Sequence, residues 1–354
     1  MFAKPAKAAR SIFLLALSAG TLSAQITITS PTTLLPASTA IAYEPFTLTA
    51  TGGTQPYTWT VIGTGLGALP PGMTLSSGGT ISGTPQSTGQ YQPMIKVTDT
   101  AANSATQTLS LYVAPSAGTL NRTGVLAQVA AGAGWSTVMY LVNTSATIYE
   151  SALLTFRNDL GSPLAQPLTI LQQGISLSVS ASSWNFTLAP NTTVVIQTAT
   201  PLSGALAEGW ADVFTTGGIG SFAIFSQTLP NGVVAEGTSS SGGQFPNSLV
   251  LPYDNTGGFV TTAGLVSLSA FPSTVTATIW DQNGNKLGTQ TLNIATLAHM
   301  AFAVPTLFPV TAGKRGSVVF ASSNTDAGLA GLGLSFSPLT GGSFTSVPLL
   351  PATM

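Results

Sequence analysis

The sequence predicts an all-β protein, three tandem β-sandwich modules behind a secretory leader. Three observations lead there. Short runs of Val, Ile, Thr, Phe and Leu alternate with polar residues and are bounded by Gly, Pro, Asn and Ser. The 38 glycines and 23 prolines leave no window of helical length with an unbroken apolar stripe. Beyond residue 121 the same ordered pattern occurs twice.

Residues 1–24 read as the leader. Lys4, Lys7 and Arg10 form a positive start, and Ile12 to Leu17 form a short apolar run. Leu22-Ser23-Ala24 then offers small residues for cleavage, which makes Gln25 the expected mature start. The apolar run is shorter than the ~20 residues that cross a bilayer core. Every later apolar stretch is interrupted by Thr, Ser, Gly or Pro, so no membrane-spanning segment is expected in the mature chain. The chain has no cysteine, which rules out a disulfide framework.

The first module is placed at 25–113. Its expected strands are Ile26–Ser30, Phe46–Thr51, Tyr57–Ile62, Tyr91–Asp99 and Ala105–Val113. Alternation puts Tyr57, Trp59 and Val61 on one face, so Trp59 is expected to anchor the core and not to act as a sugar platform. Within this module stand Leu69-Pro70-Pro71-Gly72-Met73-Thr74-Leu75, then Gly79-Thr80-Ile81-Ser82-Gly83-Thr84-Pro85, then Gly89-Gln90-Tyr91 and Val97-Thr98-Asp99. This series resembles the putative Ig family, cadherin-like Ig modules of bacterial surface and secreted proteins. The resemblance covers about a quarter of the chain and implies an Ig-like sandwich that spaces or displays other modules. Some cadherin-like relatives bind calcium through several carboxylates. Here Glu44 and Asp99 are the module's only acids, which argues against calcium.

Residues 114–121 read as a linker with few contacts across it. Two related sandwiches then follow, at 122–244 and 245–354. Gly134-Trp135-Ser136-Thr137 matches Gly258-Phe259-Val260-Thr261, and Thr155 to Leu164 matches Thr278 to Leu287. Gly209-Trp210-Ala211-Asp212-Val213 matches Gly316-Ser317-Val318-Val319-Phe320. Each repeat is expected to carry a hairpin, with Leu160-Gly161 and Asn283-Gly284 at the turns and both residues of Asn283-Gly284 at positive φ. The pair resembles secreted bacterial β domains of uncharacterised function, a likeness that implies no activity.

Composition limits the chemistry. Only 5% of residues are charged and there is one histidine, whereas acid–base, nucleophilic and metal chemistry draws on such side chains. Removing the leader's three cations leaves six basic against ten acidic residues, a net of −4. No basic patch with interleaved aromatics is present, so nucleic acid is not an expected partner. No cofactor or metal site is expected. The Asn-x-Ser/Thr sequences at Asn121, Asn143, Asn185 and Asn191 read as products of a Thr-rich composition.

Met300, Phe302 and Val304 share one strand face, so His299 falls on the other and is expected to be exposed, with no acid near it in sequence. Gly63-Thr64-Gly65-Leu66-Gly67 has no helix after it and reads as a loop and not as a phosphate cradle. Asp281-Gln282-Asn283-Gly284-Asn285 has oxygens at alternate positions, but one carboxylate is too few for calcium, so it reads as a turn. Trp184, Phe186 and Leu188 share a core face. Trp280 matches Arg157 in the other repeat. A position that accepts Arg is not deep core, which makes Trp280 the candidate exposed aromatic for ligand binding, with a place in a module interface as the alternative. Asp254, in the polar loop Tyr253 to Gly258, is the second ligand-binding candidate, and no catalytic residue is assigned. The sequence thus points to a secreted or cell-surface, non-enzymatic structural or adhesion protein. The alternative is a carbohydrate-binding protein using exposed aromatics of the C-terminal repeats, with extracellular glycans or surface proteins as partners.

Overall fold

The computed structural model describes residues 25–198, 205–228, 234–240, 245–338 and 343–352, so the expected leader lies outside the described residues. The chain is all-β, with helix confined to single turns such as Val304–Leu307. Buried apolar side chains gather in four clusters. One is drawn from the segment before residue 114, one from Leu126 to Ala223, and one from Leu249 to Leu329. The fourth joins the last two units, with Val125, Ala127, Trp210 and Phe225 packed on Val266, Leu268, Leu332 and Phe344.

In the first unit Trp59 is buried, as alternation requires. Gly79 lies against its ring, and a Cβ there would stand 2.8 Å from the indole. The Pro-Pro-Gly turn has the same logic. Strand Met73–Leu75 pairs with Thr80–Gly83, and a Cβ on Gly72 would meet the Thr84 carbonyl oxygen at 2.1 Å. Two expected long strands are broken. Gly89–Tyr91 pairs with Leu111–Ala114, whereas Met94–Thr98 pairs with Ser104–Thr108 in another sheet. The crossing point is Pro93, which has no N–H for a ladder and instead accepts from the Leu109 N–H at 2.9 Å.

The second unit stacks a four-stranded sheet on a six-stranded one. The first runs in the order Asn121–Ala131, Ala207–Thr215, Glu150–Asn158, Ser183–Leu188. The second runs Ile175–Ala181, Gln166–Gln172, Thr193–Thr198, Trp135–Asn143, Ile219–Thr228, Val234–Ser240. Trp184, Phe186 and Leu188 are all core residues of this unit.

The third unit has a five-stranded sheet around Ser273–Asp281 and Arg315–Ser322. Its four-stranded sheet has the order His299–Ala303, Val260–Ser267, Leu329–Phe336, Phe344–Pro348. The repeats match at the level of register. Arg157 stands opposite Trp210 and Asn158 opposite Gly209, while Trp280 stands opposite Ser317 and Asp281 opposite Gly316.

The turns also match, but not as expected. The Gly161 N–H donates to Asn158 O at 2.9 Å, and the Gly284 N–H donates to Asp281 O at 3.1 Å. Gly161 and Gly284 take positive φ, whereas neither Leu160 nor Asn283 does. The Asp281 carboxylate accepts from the Asn283 and Asn285 N–H groups, which fixes a wider turn with the glycine last. Only the third unit continues this turn into a hairpin, between Ser273–Asp281 and Lys286–Ile294. In the second unit Pro163 makes one bridge to Arg157, and Gln166–Gln172 then crosses to the opposite sheet. Pro163 and Pro167 have no N–H to carry that ladder further.

The junction between the first two units carries more than the linker. The Glu44 Oε1 atom accepts from the Asn185 backbone N–H at 2.7 Å and from its amide at 3.1 Å. Tyr112 and Tyr149 pack with ring centroids 4.8 Å apart. Burial pushes the Glu44 carboxyl up, against the opposing pull of the Asn185 bonds.

Candidate functional site

A cleft of about 300 Å³ lies between the second and third units. Its floor is the outer face of the third unit's four-stranded sheet. Thr262 stands opposite Leu334 there, and Gly264 stands between Ala301 and Leu332. The opposite wall comes from the second unit, through Gln128, Ala130, Trp135, Leu206 and Glu208.

Local sequence explains why these side chains converge. Strand Asn121–Ala131 loses register between Leu126 and Val129, opposite Ala211 and Gly209. The extra residue keeps Leu126 and Val129 in the core of the second unit while Ala127 packs into the junction. It also brings Gln128 to the cleft, the re-aiming for which β-bulges are used. The Gln128 amide donates to Glu208 Oε1 at 2.9 Å, so its own Oε1 remains to accept and the carboxylate is held in place. Trp135 leaves the turn Gly132-Ala133-Gly134, all three residues of which take positive φ. Its ring stacks on Phe344 at 5.5 Å, and Phe344 in turn meets Phe336 at 5.2 Å. Trp135 and Phe336 line the cleft, and Phe302 borders it while its ring packs on Phe308 and Phe320 in the third unit's core.

The junction behind the cleft is built from polar contacts as well as apolar ones. His299 is buried, not exposed. Alternation places it opposite Met300 and Phe302 as expected, but that second face is the one covered by the preceding unit. Its Nδ1 lies 2.9 Å from Asp159 Oδ1, an acid 140 residues away in sequence, and its backbone N–H donates to Asp159 O. His299 Nε2 has no hydrogen-bond partner and faces Gly264, where a Cβ would lie 2.6 Å from it and 3.3 Å from Gln128 Oε1. Trp210 Nε1 donates to the Leu297 carbonyl at 3.1 Å.

Asp212 is fully buried between Arg122, at 2.7 Å, and Arg157, at 3.4 Å. Arg122 also reaches the Leu268 carbonyl of the third unit at 3.5 Å. Burial pushes the Asp212 carboxyl up, and the two guanidinium groups oppose that push.

Trp280 is half-buried beside Ser317, and its carbonyl accepts from the Tyr253 hydroxyl at 3.1 Å. Asp254 is held by its own loop and a neighbouring cation. It accepts from Thr256 N and Oγ1 at 2.9 and 2.7 Å and from Arg315 Nε at 2.7 Å. Burial alone would raise its carboxyl, but the Thr256 and Arg315 contacts hold it below the usual carboxylate range. Neither residue lines the cleft. No motif in the sequence marks Gln128, Glu208 or Thr262 as cleft residues. The one signal for Trp135 is the aromatic at the matching repeat position, Phe259.

Among the described residues no group of three or more His, Asp or Glu side chains is placed to hold a metal ion. No described helix is long and apolar enough to cross a membrane.

Comparison with known proteins gives a consistent but narrow result. Residues 19–114 match the family described as "Putative Ig domain". No curated protein matches the chain. Similar solved structures include a putative alpha-galactosidase/melibiase from Bacteroides fragilis, at 24% identity and a TM-score of 0.22, over 26% of this chain and 18% of that one. They also include the extracellular cadherin domains 1–4 of protocadherin gamma B7, at 9% identity and 0.22, over 61% and 49%. A third is SGBP-B of a Bacteroides ovatus mixed-linkage glucan utilization locus, in complex with a heptasaccharide, at 9% identity and 0.20, over 92% and 98%. The chain spans less than a fifth of the galactosidase and about half of the cadherin fragment. Scores this low carry no functional argument, and what the comparisons show is the match of residues 19–114 to the putative Ig domain family, within an all-β chain.

Proposed function

We propose that this chain is a non-catalytic binding protein of the cell exterior that holds a neutral glycan segment in the cleft between its second and third sandwiches. The module boundaries at 113, 121 and 244, the secretory leader and the extracellular placement belong to this proposal. The observation that carries it is the lining of the cleft, where aromatic rings meet one amide–carboxylate pair. Sugar rings present polarised C–H groups to an aromatic face and paired hydroxyls to planar acceptors, so such a lining offers both contacts. A volume of about 300 Å³ suits roughly one or two sugar rings, at the small end of ligand pockets. Glu208 is the one carboxylate among the described lining residues, and glycoside hydrolysis uses two carboxyl groups about 5–10 Å apart.

The test is a glycan array followed by titration of the best binder. Trp135→Ala should weaken binding by about tenfold or more, and Trp280→Ala should leave it unchanged. No saturable glycan, or a loss confined to Trp280→Ala, would remove the cleft from consideration.

A further inference from the structure

We infer that the edge strand Ile175–Ala181 is an acceptor for an extended peptide segment, which it binds by main-chain pairing in the groove beside the first unit. This goes beyond the glycan cleft and does not depend on it.

The strand is last in its six-stranded sheet and pairs only with Gln166–Gln172. Among the described residues, 175–181 make no other backbone bond, so the outer row of N–H and C=O groups has no described partner. Natural sheets protect such edges with charges, proline or bulges. This edge has none of them. It reads Ile-Ser-Leu-Ser-Val-Ser-Ala, with serines exposed and apolar residues half-buried in strict alternation.

A groove of about 550 Å³ runs along Gly174 to Val179, with Pro45, Phe46 and Thr47 of the first unit on its far side. The far wall is also a sheet edge, strand Tyr43–Thr47, but that edge carries Pro45 and a register shift. One side of the groove is guarded and the other is open. No charged side chain lines it, so the complementary occupant is uncharged.

The five lining residues 175–179 extend over about 17 Å, enough for a five-residue partner strand. The occupant is an isolated segment and not the edge of a second copy. Ile175 and Leu177 are already packed against the first unit's core, so a second copy's edge would bring its own first unit into the same space. Main-chain bonds would supply affinity, and alternate side chains lying on the wall would supply selectivity.

The probe is a dye-labelled peptide of sequence Ile-Ser-Leu-Ser-Val-Ser-Ala with a solubilising tail. This sequence is self-complementary when antiparallel, with apolar residues across from apolar ones and serine across from serine. Its binding to the intact chain is followed by fluorescence anisotropy, together with two versions N-methylated at the serines or at the apolar residues. Saturable binding is expected, with one methylated version weaker by about tenfold or more and the other close to unmodified, because only alternate N–H groups face the acceptor. Hydrogen exchange should slow at residues 175–180 when the peptide is bound. Three outcomes would overturn the inference: no binding up to about 1 mM, equal effects of both methylations, or protection elsewhere. A concentration-dependent dimer of the chain alone, blocked by the peptide, would overturn the choice of an isolated segment.

Discussion

Gly264→Ala tests the junction behind the cleft. Gly264 does not occupy the left-handed region, so its backbone accepts alanine, and alone that change should add about 0.4–1 kcal/mol by restricting the unfolded chain. The structure opposes it. The new Cβ would lie 2.6 Å from His299 Nε2, about 1 Å inside ordinary contact, and 3.3 Å from Gln128 Oε1. His299 cannot swing aside freely, because Asp159 holds Nδ1 at 2.9 Å. Either that bond breaks or the sheets part, and overpacking of this kind costs about 1–3 kcal/mol. A net loss of about 1–2 kcal/mol follows. Urea denaturation of the intact chain measures it, with His299→Ala and the double variant completing a cycle. Without the imidazole the added methyl has room, so the loss should vanish or reverse in the His299→Ala background. An equal loss in both backgrounds, or a Gly264→Ala variant more stable than the parent, would refute the reasoning.

Other consequences can be measured alongside. Asp212→Ala should cost about 3–5 kcal/mol in the same denaturation experiment, since it strands two partly buried guanidinium groups. Gly284→Ala, at φ 81°, should cost about 1–2 kcal/mol and loosen the third unit's hairpin, seen as faster hydrogen exchange around Lys286. Stability should fall on acidification below about pH 4. Hydrogen bonds hold the Asp99, Asp254 and Asp281 carboxyls below their ordinary range, so their contribution is present above that range and lost as each is protonated in the fold. Glu44, raised by burial, acts in the opposite sense and in a higher window, since its stabilisation appears as pH falls through its raised value. Glu44→Gln should therefore remove a gain in melting temperature on acidification from neutral pH towards about 4.5.

Alternation alone located much of the core. Trp59, Trp184 and Phe186 are buried where period two requires, and the repeat match survives as matching register at Arg157 and Trp280. The losses have physical reasons. Periodicity separates two faces of a strand but does not say whether the second meets water or another sheet, which is why His299, expected at the surface, lies buried under the preceding unit. A one-residue bulge leaves no composition signal, and Gln128 depends on one. The breaks at Pro93 and Pro163 were legible in principle, since proline cannot extend a ladder, but the change of sheet that follows each has no local sequence mark. The cleft itself arises from packing between units and has no local sequence mark.

The most direct measurement is a crystal structure of the chain soaked with the best binder from the glycan array. A sugar ring should lie against Trp135 or Phe336, with hydroxyls within hydrogen-bond reach of Gln128 and Glu208. A sugar seated at Trp280, or on any surface away from the junction of the second and third sandwiches, would contradict the assignment.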